Sequence, residues 1–587
     1  MAERLVLSPV AALLIACTGA PQSARAPSST AAFADRVPAA WPYALDAPVA
    51  TGRSAMVTTD APLATRVGLD VLRAGGNAVD AAIATAFTLA VVYPEAGNIG
   101  GGGFLVARMA DGSTAALDFR EKAPLAATAD MFLDTNGEPT DASVTGHRAS
   151  GVPGAVMGLW EAHQRFGTRP WAELLEPAIR LAADGFVADD AFADAVSDAT
   201  DRLQRFDGSA ELFLTAGEPI RAGARWHNPD LATVLRRIGE NGPTGFYEGE
   251  TADLIVEEMR RGGGLITHAD LARYDAKWRE PIVFDYRGHT LISMPPASSG
   301  GITLALITGI LDGLPLPDMD WHSTEGLHVT AEAMRRAFAD RNHYLGDSDF
   351  VDIPRDRLLS DAYHERLRQS IDLGAATPSA AVQPGDAARR DERDHHTTHF
   401  SIVDQAGNAV ALTTTINSLF GSAVTVSGAG FLLNNEMDDF TAKPGAPNMF
   451  GLVQGEANAI APEKRMLSAM TPVVVVDDAG AVRLVTGARG GPRIITAVFQ
   501  VISNVFDYDM PLAAAVDAPR IHHQHLPDVL YFERDGLTAA QIEGLTALGH
   551  TVDAFSGYIG NAPTILRHAD TWHGIADPRQ GGLAEGY

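Results

Sequence analysis

The feature that most constrains this chain lies well inside it, where a segment without apolar period gives way at one residue to alternation. Residues 375–394 carry Pro, Gly, Ala and seven charged side chains, the composition of an exposed linker and a suitable place for a chain break. From Thr397 the side chains alternate. Thr397, His399 and Ser401 fall on one face of a strand, Phe400 and Ile402 on the other. Asp404 to Asn408 reads as a turn, and a second strand over 409–417 brings Thr413, Thr415 and Asn417 to one face. If the His396–Thr397 bond were cut, the Thr397 hydroxyl would sit beside its own α-amine. A hydroxyl is a weak nucleophile that needs an adjacent base, and an α-amine with a pKa of about 8 can serve. Taken alone, the hairpin reads more economically as a half-buried structural pair, because threonine is a good strand former. His395, His396 and His399 match no usual zinc spacing, and no cysteine is near, so no metal is expected.

Size and charge narrow the classes. At 587 residues the chain can hold one large α/β unit or several domains. Its net charge is −28, from 45 Lys and Arg against 73 Asp and Glu, which argues against nucleic acid and anionic membranes as partners. Cys17 is the only cysteine, so no intrachain disulfide forms. It closes the apolar run 5–16, which is too short to span a bilayer and reads as an export signal. Leu14-Ile15-Ala16-Cys17 resembles a lipoprotein signal that leaves Cys17 as a lipid-bearing N-terminus; ordinary cleavage after Ala20 or Ala26 is the alternative. Residues 18–48 are expected to be a flexible tether, with folded structure beginning near Val49.

Further along, a helix over 60–74 ends at Gly75-Gly76, and a second, 78–91, is rich in small apolar residues and expected to be buried. Four glycines, Gly100 to Gly103, would let the backbone pass tightly against another backbone or a ligand. No Gly-Lys-Ser/Thr follows, which excludes a phosphate loop. Arg120 sits at the end of a strand over 114–119. Residues 155–373 read as mainly helical, with strand-like pieces at 278–284 and 289–293. Strands return at 398–403, 409–415, 431–433, 472–476 and 483–486. Acids gather in 434–440. The Gly/Pro/Asn-rich loop 443–457, with Met449 and Phe450 at its middle, suits a mobile lid. Gly490-Gly491 precedes a helix over 493–506, a turn whose N–H groups can hold an oxyanion.

Taken in order, the stretches 97–104, 118–124, 397–401, 434–440, 464–472 and 487–491 and the C-terminal 577–587 resemble the γ-glutamyltransferase family of N-terminal-nucleophile hydrolases, and they reverse the structural reading of the hairpin. The resemblance implies an α+β fold, an αββα four-layer sandwich. It implies a precursor that cuts itself into a large subunit, 49–396, and a small subunit, 397–587, which stay together as a heterodimer. Thr397 would be the nucleophile, Thr415 would orient it, and Gly490 and Gly491 would hold the oxyanion. Arg120 and Ser468 would bind the α-carboxylate of a γ-glutamyl group, and Asn417, Glu436 and Asp439 its α-ammonium. Glutathione and related γ-glutamyl compounds would be donors; water, amino acids or short peptides would be acceptors. No cofactor is implied. The expected location is the bacterial periplasm or cell envelope, with membrane contact only through a lipid on Cys17.

One departure matters. The family usually has two adjacent serines where this chain has Ser468-Ala469, so one donor to the carboxylate is missing. Arg489 and Pro492, flanking the oxyanion glycines, are also less usual. Two rival readings stand beside the main one: an acylase on glutaryl or cephalosporin side chains with the same fold, and a non-cleaving, peptide-binding surface lipoprotein.

Overall fold

The computed structural model describes residues 31–382 and 397–587. Cys17 and His396, and with them the export signal and the cleavage bond, lie outside the described residues.

Two seven-stranded sheets are stacked face to face. The first contains, in spatial order, Leu583–Gly586, Met56–Thr59, Thr397–Val403, Ala409–Thr415, Gly102–Arg108, Thr114–Phe119 and Lys277–Arg279. The second runs Ala50–Gly52, Thr571–Ile575, Thr564–His568, Val482–Thr486, Val473–Val476, His289–Ser293 and Ile282–Tyr286. Neighbouring strands in both are antiparallel.

The alternation of side chains builds the layers. In Gly102–Arg108, Leu105 and Ala107 belong to one hydrophobic cluster while Phe104 and Val106 belong to another. Val410 and Leu412 divide from Ala409 and Ala411 in the same way. The outward set packs on helices including Ala78–Val92, whose residues are all buried. The inward set meets the second sheet, whose far face carries the helices Gly300–Asp312, Thr324–Tyr344 and Arg493–Phe506. This is the expected αββα sandwich of α+β class. Phe400 and Ile402 face the helices, and His399 faces the other sheet against Gly487, where a Cβ would come within 2.3 Å of its ring.

The glycine run meets a backbone. A Cβ on Gly101 would lie 2.2 Å from the Thr415 carbonyl oxygen, and one on Gly103 would lie 2.4 Å from that of Thr413. Both distances are far inside contact, so only glycine lets this strand lie against its neighbour here.

Several expectations are corrected. The described part of the tether is docked, because it is not wholly polar: Phe33 packs edge-on to Trp321 at 5.8 Å, Trp41 Nε1 donates to the Asp517 carbonyl at 3.0 Å, and the Arg579 guanidinium lies over the Trp41 and Tyr43 rings. The described part of the linker, 375–382, is exposed at Ala375, Pro378, Ala380 and Ala381, as expected, but it is pinned at Ser379, which is fully buried. The single piece expected over 278–284 is two strands in different sheets, separated at Pro281, which has no N–H for a ladder. The strand expected over 431–433 is only an isolated bridge, Thr425 to Leu432, beside turns at Gly428 and Gly430 with positive φ.

Candidate active site

The hairpin places Thr397 directly opposite Thr415 in the ladder, and the two hydroxyl oxygens are 3.3 Å apart. The Asn417 N–H donates to Thr415 Oγ1 at 2.8 Å, which ties that hydroxyl to the end of its own strand. Asn417 has φ 76°, a left-handed conformation that asparagine tolerates better than most residues. Its Nδ2 donates to the Asn435 carbonyl at 3.0 Å, tying the hairpin's end to the acidic turn.

That turn, Glu436–Asp439, faces Arg120. Arg120 Nη1 lies 2.6 Å from Glu436 Oε2, Nη2 pairs with Asp439, and Nε donates to the Met466 carbonyl at 3.3 Å. Burial alone would lower the Arg120 pKa; Glu436 and Asp439 override it and hold the guanidinium above its ordinary range. Burial raises both acids, against the pull of Arg120. The groups expected to read a carboxylate and an ammonium therefore pair with one another in the free protein. A zwitterionic ligand would exchange these pairs for equivalent ones rather than bury new net charge.

Arg120, Thr397, Thr415, Asn417, Glu436, Asp439, Ser468 and Gly491 line one cavity, together with Ala469, Phe450, Leu452 and Arg341. Phe450 and Leu452, from the expected lid, are each only 4% exposed, so the lid's apolar tip is seated in the cavity wall. Ser468 is fixed through its carbonyl, which accepts from Ser299 N at 2.8 Å and from Ser299 Oγ at 2.6 Å.

Gly490 and Gly491 have φ 128° and 58°, and a Cβ on Gly490 would lie 3.1 Å from Gly560 Cα. Their carbonyls turn into the helix Arg493–Phe506 and accept from Arg493 N at 3.3 Å and Ile494 N at 3.1 Å. In a helical start the N–H groups point the opposite way, out of the helix end. The unusual Arg489 is engaged below the site. It bonds to Tyr93, to Gln580 at 2.8 Å and to Tyr558 at 3.1 Å, and lies 3.8 Å from Asp60. Asp60 in turn accepts from Thr398 Oγ1 at 3.0 Å.

Sequence reasoning missed two residues. Glu121 is buried behind Arg120 at 3.6 Å, and its carboxyl is pushed up to about 8, chiefly by burial. Arg341 is 1% exposed. Its signal was present: with Met334 and Phe338 it continues an apolar stripe of the helix Thr324–Tyr344, a position where a charge is out of place unless it works. Outside this cavity the ligand atoms of His328, Glu332 and His550 lie within 4.8 Å of one another. These groups are already committed. His328 bonds to His550 at 2.8 Å and to the Asp372 carbonyl at 2.8 Å; Glu332 is held by Arg335 and Arg336, two cations that disfavour a third.

The fold and this cavity define an N-terminal-nucleophile type of amide-cleaving enzyme. Residues 64–587 match the family model described as gamma-glutamyltranspeptidase. The chain is 45% identical over 535 residues to the glutathione hydrolase proenzyme of Escherichia coli (strain K12), covering 91% of each chain. It is 48% identical over 524 residues to that of Pseudomonas aeruginosa, covering 88% of this chain and 92% of the relative. Among solved structures, a cephalosporin acylase from Bacillus halodurans superposes with TM-score 0.82 at 28% identity, over 94% of this chain and 99% of that one. The chain belongs to the γ-glutamyltranspeptidase family, and it is an enzyme of that family.

Proposed function

We propose that this enzyme matures by cutting its own His396–Thr397 bond and then hydrolyses or transfers the γ-glutamyl group of glutathione and related amides. In maturation the Thr397 hydroxyl attacks the His396 carbonyl carbon. The peptide nitrogen leaves as the Thr397 amine, and water cleaves the resulting ester, yielding a His396 carboxylate and a free α-amine. In turnover Thr397 Oγ1 attacks the γ-carbonyl carbon of the donor, its proton passing to that α-amine, which returns it to the departing amine. Gly490 and Gly491 N–H groups stabilise the tetrahedral oxyanion, and Thr415 aims the nucleophile. Arg120 and Ser468 take the α-carboxylate; Asn417, Glu436 and Asp439 take the α-ammonium. Water, an amino acid or a short peptide then accepts the γ-glutamyl group from the acyl-enzyme, and the two chains persist as a heterodimer.

The observation that carries this reading is the opening of the Thr397–Thr415 hydroxyl pair into the same cavity as Arg120, Glu436 and Asp439. On a denaturing gel the wild type should give two bands, and mass spectrometry should find Thr397 as the small chain's first residue. Thr397→Ala should give one band and no turnover. Any other small-chain N-terminus would sink the nucleophile assignment, and a single wild-type band would favour the non-cleaving peptide binder.

An acylase on glutaryl or cephalosporin side chains is the second reading, motivated by the 37% identity over 524 residues to a protein named acylase ACY 1 proenzyme from Pseudomonas sp. (strain SE83). The Glu436–Asp439 acid pair disfavours it, because a glutaryl chain has no ammonium to meet two carboxylates. Faster hydrolysis of a glutaryl than of a γ-glutamyl anilide would establish the acylase instead. We further propose export to the cell envelope with a lipid on Cys17, on the strength of the apolar run that the cysteine closes. Cys17→Ser should then move the protein from the membrane to the soluble fraction with turnover unchanged; membrane association that survives the substitution refutes the anchor.

A further inference from the structure

Arg341 is a buried guanidinium whose charge no direct partner balances. Nε donates to Ser299 Oγ at 3.0 Å, and Nη1 to Asn342 Oδ1 at 2.9 Å and Gln454 Oε1 at 3.1 Å. These acceptors are all neutral, and among the described residues no carboxylate forms an ion pair with Arg341. A buried cation held this way is costly unless its charge is used. It fronts the same cavity as Arg120 and Ala469, and its partners belong to the site's walls. Ser299 holds the Ser468 carbonyl, and Gln454 Nε2 donates to the Asp439 carbonyl at 3.2 Å. Burial lowers the Arg341 pKa to about 10, with the Asp439 charge opposing the shift, so it stays cationic at neutral pH.

Its place gives it a task. Arg120 is already engaged by Glu436 and Asp439, whereas Arg341 lines the same cavity and meets only neutral acceptors. A donor end that brings a carboxylate into the cavity meets that charge, and one that brings the ammonium alone does not.

We propose that Arg341 is a specificity-determining residue: it offers the cavity a second cation, so that the enzyme selects donors with a zwitterionic α-amino-acid end over donors bearing the ammonium alone. The proposal rests on the reading of this cavity as the γ-glutamyl site. It also assigns a second cation to the wall where the chain has lost the hydroxyl usual at position 469.

The test compares two donors, γ-glutamyl anilide and 4-aminobutyryl anilide, the latter lacking the α-carboxylate. In Arg341→Gln the ratio of their kcat/KM values should fall by at least about tenfold, the scale of one charge-assisted interaction. The fall should come through KM, and Arg341→Lys should restore most of the ratio. Gln454→Glu keeps Arg341 but sets a carboxylate against it, so it should lower the ratio in the same direction; it carries the test if Arg341→Gln does not mature. Equal losses for both donors would mean that Arg341 only supports the wall, and an unchanged ratio in both variants would equally overturn the proposal. Arg120→Lys serves as control. If it raises KM for γ-glutamyl anilide while the ratio ignores Arg341 and Gln454, only this inference falls. If Arg120→Lys leaves KM unmoved too, the assignment of the cavity falls with it.

Discussion

Ala469 shows how a single missing atom becomes a quantitative question. It lines the cavity beside Ser468 at the edge of the hydrophobic core, so a hydroxyl placed there can turn toward a ligand. A hydrogen bond to a charged group is worth about 1.5–3 kcal/mol, about ten- to a hundredfold in affinity. Water filling the gap would recover part of that. Ala469→Ser should therefore lower KM for γ-glutamyl anilide by at least several-fold and leave 4-aminobutyryl anilide unaffected. Identical KM values for the serine variant and the wild type would mark Ala469 as packing. The same position illustrates what was legible in the residues: its identity and neighbour were readable, but its exposure to the cavity depends on how Ser299 grips the Ser468 carbonyl from a distant loop.

At the scale of the strand, His399 joins the two sheets. Its Nδ1 and Nε2 lie 2.9 Å from Thr413 Oγ1 and 3.1 Å from Ser401 Oγ, and its ring fills the space above Gly487. Burial lowers its pKa to about 3 from the usual 6.5. The sign follows from proton counting. Between pH 6.5 and about 3 the unfolded chain binds a proton here that the folded chain does not, so this residue's contribution to stability is present above that window and is lost as pH falls through it. His399→Asn should lower Tm at pH 7.5, because contacts between the sheets are lost. The deficit should shrink steadily below pH 6.5, since the variant has no imidazole to protonate. A deficit independent of pH from 7.5 to 4 would show that this site does not titrate between the states. The strand's alternation disclosed which side chains face inward, but not that an imidazole would be the one to bridge the sheets.

Across the whole molecule, the described residues before the proposed break are clamped to the chain that follows it. Asp528 pairs with Arg335, accepts from Ser379 N at 2.7 Å and lies 3.4 Å from His523 Nε2. His525 Nε2 lies 3.0 and 3.1 Å from the Ser379 and Val382 carbonyls. Arg336 holds the Ser370 carbonyl and Thr377 Oγ1. If the chain is cut as proposed, the contacts of 376–382 with Asp528 and His525, together with the bond from Ala376 N to the Leu548 carbonyl at 2.6 Å, hold this segment to the small chain. Asp528→Asn removes the charge from the centre of the clamp, so amides of 376–382 should exchange with solvent faster. The increase should be larger in the cleaved wild-type background than in a Thr397→Ala background, where a covalent link restrains both ends. Equal exchange with and without the substitution would show that the clamp contributes nothing.

The sequence by itself determined the local elements that carry the chemistry: the alternation at Thr397, the buried small-residue helix, the glycine run and the Gly490-Gly491 turn before a helix. Each rests on period, propensity or backbone freedom, which act over a few residues and leave a local trace. The same is true of the residue types that line the cavity, which the resemblance then ordered into roles. Tertiary structure alone decided that Arg120 would be paired with Glu436 and Asp439 in the free enzyme, that Arg341 would stand unbalanced beside them, and that 33–48 and 375–382 would be docked rather than loose. These depend on charges and rings more than a hundred positions apart, brought within hydrogen-bonding distance by two stacked sheets. No local period records such a meeting, because its free energy belongs to the pair and not to either segment.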